Sequence, residues 1–207
     1  MKDFNRKDHW ENIYRNKKLE EVSWFQPVPE TSLNFFEKYD LPLDARIIDV
    51  GGGDSFFVDI LLGMGYEDIT VLDISKTALE KAKKRLGDKA KYINWIVADA
   101  ANFKTDEKFD FWHDRAAFHF LTKKEEVDNY VNTVSRALNS SGILVIGTFS
   151  ETGPEKCSGI DIKQYSEEAL TKQFEPDFKK EKCIRVDHNT PSNTVQNFTF
   201  CSFKKAE

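Results

Sequence analysis

Two kinds of apolar pattern alternate along the chain. Continuous apolar runs at 46–50, 69–73, 92–97, 109–112 and 143–149 read as buried strands. Between them, apolar residues recur three and four positions apart and predict helices. Phe56, Phe57, Ile60 and Leu61 form one such set, and Leu79, Ala82 and Leu86 another. Val127, Tyr130, Val131, Val134 and Leu138 form the longest. Asp54 or Ser55 is placed to cap the first helix and Ser75 the second, over 76–86. Thr122-Lys123-Lys124-Glu125 has the form of a capping box for the third, and Ser140-Ser141-Gly142 ends it. Ahead of the first strand, residues 3–16 read as a helix. Val22 to Pro29 is extended, because two prolines interrupt it. Pro29, at a first helical position, opens a helix carrying Leu33, Phe35, Phe36 and Tyr39. After 149 the alternation stops. A polar loop covers 151–163 and a short helix 166–174. Two strands, 178–187 and 194–203, are joined by the turn-rich His188 to Asn193. Strands alternating with helices, then an antiparallel hairpin, predict an α/β domain with a mainly parallel sheet.

Composition narrows the picture. A chain of 207 residues with 40% hydrophobic and 31% charged positions suits one domain with a solvated surface. Its 17 Phe and 4 Trp exceed what a minimal core needs, so some are expected to line a pocket. A net charge of −5 argues against a nucleic-acid partner. No apolar run is long enough to span a membrane, and MKDFNRKDHW has no signal-peptide core. Cytoplasmic residence is the default expectation. Cys157, Cys183 and Cys201 are odd in number and widely spaced, which indicates neither a metal site nor a disulfide framework.

The chemistry is expected at the carboxyl ends of the strands, where open α/β sheets bind ligands. The first strand ends in Asp49 and runs into Gly51, Gly52 and Gly53, a turn that leaves room for a ligand. The next two end in Asp73 and Asp99, and the fourth leads into His113-Asp114-Arg115. Asp73 follows Asp49 by 24 positions, the spacing at which an acid accepts ribose hydroxyls in dinucleotide folds. A nicotinamide dinucleotide is the first rival, but the third glycine of its fingerprint is replaced by Phe56 and no second mononucleotide half follows. No Gly-Lys-Ser/Thr follows the turn, which excludes a kinase-type phosphate loop.

Taken together these residues resemble the class I S-adenosylmethionine-dependent methyltransferases. Asp49-Val50-Gly51-Gly52-Gly53 is similar to that family's first motif, Val71 to Ser75 to its second, and Ala98-Asp99-Ala100 to its third. Phe109-Asp110 to His119 resembles the fourth region, beside the methyl donor, and the turn at 138–142 the approach to the fifth strand. The resemblance implies a Rossmann-like, doubly wound seven-stranded sheet, mainly parallel with an antiparallel C-terminal hairpin strand. It implies S-adenosyl-L-methionine as cofactor and S-adenosyl-L-homocysteine as product. Trp24, Asp49, Gly51, Gly53, Ser55, Asp73, Ile74, Asp99, Ala100 and His113 are the expected cofactor contacts, and no metal is expected. Ser55 stands where the family often has glycine. The Gly-Asp-Ser turn and Ser23-Trp24-Phe25 are similar to elongation-factor lysine methyltransferases, and the whole resembles small bacterial methyltransferases.

One domain over 1–207 is expected, with 1–28 as a lid. The expected reaction is methyl transfer to a small molecule. A protein lysine is the alternative acceptor, and a non-catalytic cofactor-binding protein the second alternative. His113 is the candidate base, its other role being a backbone contact to the cofactor. Arg115 either grips an anionic substrate or pairs with Asp114 or Asp110. His119 reads as structural, and the loop holding Glu151, Pro154 and Cys157 as a bound on the substrate end.

Overall fold

A computed structural model describes residues 4–206. Its main sheet has seven strands. They are β1 (Arg46–Val50), β2 (Asp68–Asp73), β3 (Ile93–Val97), β4 (Phe109–Arg115), β5 (Leu138–Phe149), and the late pair β8 (Phe178–Asn189) and β9 (Val195–Lys205). Two short strands, β6 (Lys156–Cys157) and β7 (Ile160–Asp161), form a separate ribbon within the loop after β5. The main order is β3-β2-β1-β4-β5-β9-β8. The first five strands are parallel, and β9 pairs antiparallel with both β5 and β8. The seven-stranded, mainly parallel sheet with its antiparallel hairpin is therefore as expected.

Six α-helices accompany it: α1 (Arg6–Asn16), α2 (Glu30–Glu37), α3 (Phe57–Gly63), α4 (Lys76–Leu86), α5 (Lys124–Ala137) and α6 (Glu167–Phe174). The two faces of the sheet bury separate clusters. One gathers Phe35, Phe36, Phe57, Leu61 and Val71; the other gathers Phe118, Tyr130, Val134, Leu170 and Phe174. Strands β1 and β2 are buried at every position after the first because they are covered on both sides.

Several local expectations change. Position 3 of the first predicted helix lies outside the described residues; α1 begins at Arg6, with Asn5 Oδ1 accepting from the Asp8 amide. Pro29 precedes α2 rather than occupying its first turn. The capping box at Thr122 does not form, and Lys123 sits at the helix entrance with no side-chain cap. Strand β5 starts directly after α5, so Ser140-Ser141-Gly142 lies inside the strand, with Ser141 at φ 63°. Strand β4 extends through Arg115, because His113 and Arg115 pair with Val145 and Gly147 of β5. His188 and Asn189 belong to β8 rather than to the hairpin turn.

The cysteines also differ from expectation. Cys183 and Cys201 face each other across β8 and β9 and are joined by a disulfide. Their pairing follows from the hairpin register, which their spacing alone does not reveal. Cys157 is free and buried.

Candidate active site

The site lies at the carboxyl edge of β1, β2, β3 and β4, under the N-terminal segment. After β1 the chain turns sharply, and Gly51 and Gly53 have φ of 70° and 49°. Side chains rarely adopt these values. A Cβ on Gly51 would also meet the Cβ of Ala117 at 2.4 Å, so the turn needs glycine there twice over. The amides of Gly51 and Gly52 donate to Leu72 O, which ties the turn to β2.

Asp73, at the end of β2, is buried. Its Oδ1 accepts from the Ser75 amide at 2.7 Å. Burial raises its pKa to about 7, against the bonds from Ser75 and Gly53 and with Asp49 and Glu11 adding to the rise. The carboxyl is therefore poised for a ligand that favours its charged form. Asp99, after β3, accepts from the Ala101 amide and from Arg6 Nη1, the latter at 3.1 Å to each oxygen. Arg6 also reaches Glu126 at 2.9 Å, joining α1, the β3 loop and α5.

At the end of β4, Asp114 fixes the next turn. It accepts from the amides of Ala117 and Phe118 and from Tyr130 Oη, while Trp112 Nε1 donates to the same Tyr130 oxygen. Burial lifts its pKa to about 6 despite these bonds. Arg115 therefore pairs with neither Asp114 nor Asp110. Its Nη1 donates to Trp24 O at 3.0 Å, and the guanidinium lies over the Phe198 ring, 5.5 Å from the centroid. Its Nη2 is shielded from water and has no hydrogen-bond partner. Burial lowers its pKa to about 10, opposed by Asp49, so the cation persists at neutral pH.

His113 corrects the expectation of a free base. Its Nδ1 bonds Asp49 Oδ1 at 2.7 Å and its Nε2 bonds Ser32 Oγ at 2.9 Å. Both ring nitrogens are engaged inside the protein, so the ring cannot take a proton directly from a substrate. His119 is structural, as expected. It is buried and accepts from the Phe149 amide through Nδ1, and burial drives its pKa down to about 3. Asp54 does not cap α3. It pairs with Arg85, which also holds Asp59, and Ser55 Oγ takes the Phe57 amide instead. Phe56, in the third-glycine position, packs edge-on against Phe25 with Arg85 over its face.

Two adjoining cavities result. The first is lined by Trp10, Trp24, Asp73, Ile74, Asp99 and Ala100, among others. The second is lined by Phe25, Ser32, Asp49, Ser55, Phe56 and His113, among others. Tyr14, Trp24, Gly51 and Arg115 border both. Of the expected contacts only Gly53 lines neither; a Cβ there would meet Tyr14 Oη at 2.6 Å and Asp73 Oδ2 at 3.0 Å. Glu151 pairs with Arg185 and Phe149 packs on His119, while Cys157 does line the first cavity.

The contacts that fasten the N-terminal roof were not legible in the sequence. Glu11 accepts from the Lys76 amide at 2.7 Å and from the Thr77 amide and hydroxyl, so α1 caps the N-terminus of α4. Burial raises its pKa, but Thr77, Lys76 and Arg15 outweigh this and the net shift is downward. His188 of β8 bonds Ser23 O at 2.7 Å and Gln26 Nε2 at 3.2 Å, holding the Ser-Trp-Phe segment in place. Ser75-Lys76-Thr77 gave a capping signal for α4, but nothing in the spacing pointed to Glu11 or His188.

The strand order, the glycine turn and the row of edge acids define a Rossmann-like nucleotide-binding fold. The residues fit S-adenosylmethionine: a tight turn without side chains, a buried acid for a ribose, and aromatic walls beside a cation site. A methyltransferase-domain family model matches residues 48–146. EEF1A lysine methyltransferase 2 of Danio rerio is 26% identical over 155 residues, covering 68% of this chain and 66% of that protein. Malonyl-[acyl-carrier protein] O-methyltransferase 1 of Ilyobacter polytropus is 29% identical over 157 residues, covering 74% of this chain and 52% of that protein. The chain thus spans less than two thirds of either relative. The N-methyltransferase NodS of Bradyrhizobium japonicum WM9, solved with S-adenosyl-L-homocysteine, superposes with a TM-score of 0.72 at 16% identity, over 97% of this chain and all of that one. The chain is thus similar in sequence and in fold to class I S-adenosylmethionine-dependent methyltransferases, and its residues fit S-adenosylmethionine as cofactor. Among the described residues, no helix is long and apolar enough to cross a membrane.

Proposed function

We propose that the protein methylates a small molecule that enters the second cavity. The enclosure of that cavity carries the reading. Its walls are the chain's own Leu19, Phe25, Gln26 and Pro29, and its volume is about 40 Å³. A compact acceptor reaches the site with modest displacement of the roof, whereas a folded protein would have to move α1 and the segment after it.

In this reading the chain is one methyltransferase domain over 1–207, with the residues up to 28 as its lid. Asp73 holds the ribose and Asp99, with the Ala100 backbone, the adenine. Asp49, Gly51, Ser55 and Trp24 surround the methionine half where the two cavities join, with Gly53 shaping the turn behind them, and Ile74 packs on the adenosine. The sulfonium supplies an activated methyl group when bound. The protein contributes alignment, worth up to roughly 7–11 kcal/mol in well-oriented systems. The free Nη2 of Arg115 grips an anionic group at the junction of the two cavities.

Likeness to the EEF1A lysine methyltransferases favours a second reading, in which the acceptor is a protein lysine. Incubating the protein and tritiated S-adenosylmethionine with cell lysate separates the two. Label is expected in small extractable compounds, and label confined to one protein band would replace this reading with the second. With the labelled compound in hand, Arg115→Lys should raise KM more than it lowers kcat, since the charge remains but the fork that bonds Trp24 O through Nη1 and leaves Nη2 for the ligand is lost.

A further inference from the structure

Ser32, His113 and Asp49 come from three separate elements and meet at the second cavity. Ser32 is on α2, Asp49 near the end of β1, and His113 near the end of β4. All three are at most 3% exposed, yet all line that cavity. The ring of His113 is held against Phe57, with centroids 4.4 Å apart. With the imidazole neutral, one proton arrangement satisfies every group. The Asp49 carboxylate only accepts, so His113 Nδ1 carries the hydrogen at 2.7 Å; Nε2 is then bare and accepts from Ser32 Oγ–H at 2.9 Å. The Ser32 oxygen keeps lone pairs for a donor in the cavity.

We propose that these residues form a proton relay and that the acceptor is a hydroxyl compound, a nucleophile that must lose its proton to react. The proposal rests on the small-molecule reading above. The acceptor O–H proton passes to Ser32 Oγ as the Ser32 proton passes to His113 Nε2. This leaves an imidazolium against the Asp49 carboxylate. The acceptor oxygen uses the electron pair it retains to bond the methyl carbon, and the pair of the broken carbon–sulfur bond stays on sulfur. The imidazolium later returns its proton to water through Ser32. Ser32 is the catalytic group, because it touches the acceptor. His113 and Asp49 position and drive it. The relay explains how a histidine with no free nitrogen serves as a base.

The test uses the full chain with S-adenosylmethionine and two probe acceptors of similar shape, phenol and thiophenol. Phenol holds its proton about as tightly as tyrosine does and needs a base. Thiophenol is already largely ionised at neutral pH and needs none. Ser32→Ala should lower kcat on phenol roughly a hundredfold, the scale of a lost general base, and leave kcat on thiophenol within about twofold. Ser32→Thr should restore the phenol rate, and His113→Gln should show the same split as Ser32→Ala. An equal loss on both probes, or none on phenol, overturns the relay and makes the array a support for α2. Transfer to thiophenol but never to phenol also overturns it, while leaving the small-molecule reading intact. Transfer to neither probe, with cofactor bound, overturns both. Nitrogen-15 NMR of histidine-labelled protein gives a readout independent of turnover. His113 should be protonated at Nδ1 in wild type and in Ser32→Ala; a proton at Nε2 instead refutes the assigned direction of transfer.

Discussion

Near neutral pH Asp73 is only about half ionised, and in the proposed ribose-binding role it gives up its remaining proton. Its pKa in the folded protein, about 7, lies above the ordinary aspartate value, chiefly through burial. Between about pH 4 and 7 the folded state therefore binds more protons here than the unfolded chain does. Its contribution to stability is complete below the unfolded pKa and is lost as pH rises through about 7. Ribose hydroxyls donate more strongly to the charged carboxylate than to the protonated acid, so cofactor binding runs the other way. Calorimetry should show S-adenosylhomocysteine binding more tightly as pH rises through 7, with proton release that disappears in Asp73→Asn. Asp73→Ala should lose much of two charge-assisted hydrogen bonds, each worth roughly 1.5–3 kcal/mol. Affinity independent of pH, or unchanged in Asp73→Ala, would remove Asp73 from the ribose site. Asp73 was legible because a strand-ending acid at a set distance from a glycine turn is a local pattern. The bonding of His113 was not, since its Nε2 partner is 81 positions away on a helix that gives no chemical signal.

The helices and strands themselves were legible wherever apolar periodicity was strong. Strand β1 and helix α4 fall where expected. Boundaries set by pairing were not: β4 runs on to Arg115 only because β5 lies beside it. The N-terminal segment is the clearest case. Trp10 and Trp24 stand out as aromatics outside the alternating pattern. What seats them is Glu11 at the N-terminus of α4, where its charge meets unpaired amides and the positive end of the helix dipole. Removing this carboxylate should cost about 1–2 kcal/mol of lid docking, the scale of a lost N-cap. Glu11→Ala should accordingly be cut faster by trypsin at Lys17 and Lys18. Its tryptophan fluorescence should respond more weakly to S-adenosylhomocysteine than wild type does, and Trp24→Phe should lose most of that response. Wild-type cleavage rates in Glu11→Ala would mean that the α1–α4 contact does not hold the roof down.

Across the molecule, the mainly parallel sheet and its antiparallel hairpin could be anticipated from the succession of elements, whereas the links between distant segments could not. The Cys183–Cys201 bond closes a loop with a sequence separation of 18 and should restrict the unfolded chain by about 3 kcal/mol. In a chain of this size, replacing both cysteines by serine should lower the unfolding midpoint by roughly 6–12 °C. Cofactor affinity should stay the same, because neither cysteine lines a cavity. An unchanged midpoint in scanning calorimetry would show that the hairpin is held by its packing alone. The clasp of His188 on Ser23 and Gln26 spans separations of 165 and 162 residues. On the ribosome the first half of that clasp is made early and the second very late. At about 5–20 residues per second the delay is on the order of ten to thirty seconds. Throughout it the Ser23–Gln26 segment lacks its β8 clasp, so the nascent chain offers a chaperone an aromatic segment that the finished protein partly covers. The pocket is then the last region to mature, and a ribosome stalled before β8 would carry five of the seven strands of the main sheet under an unclasped roof.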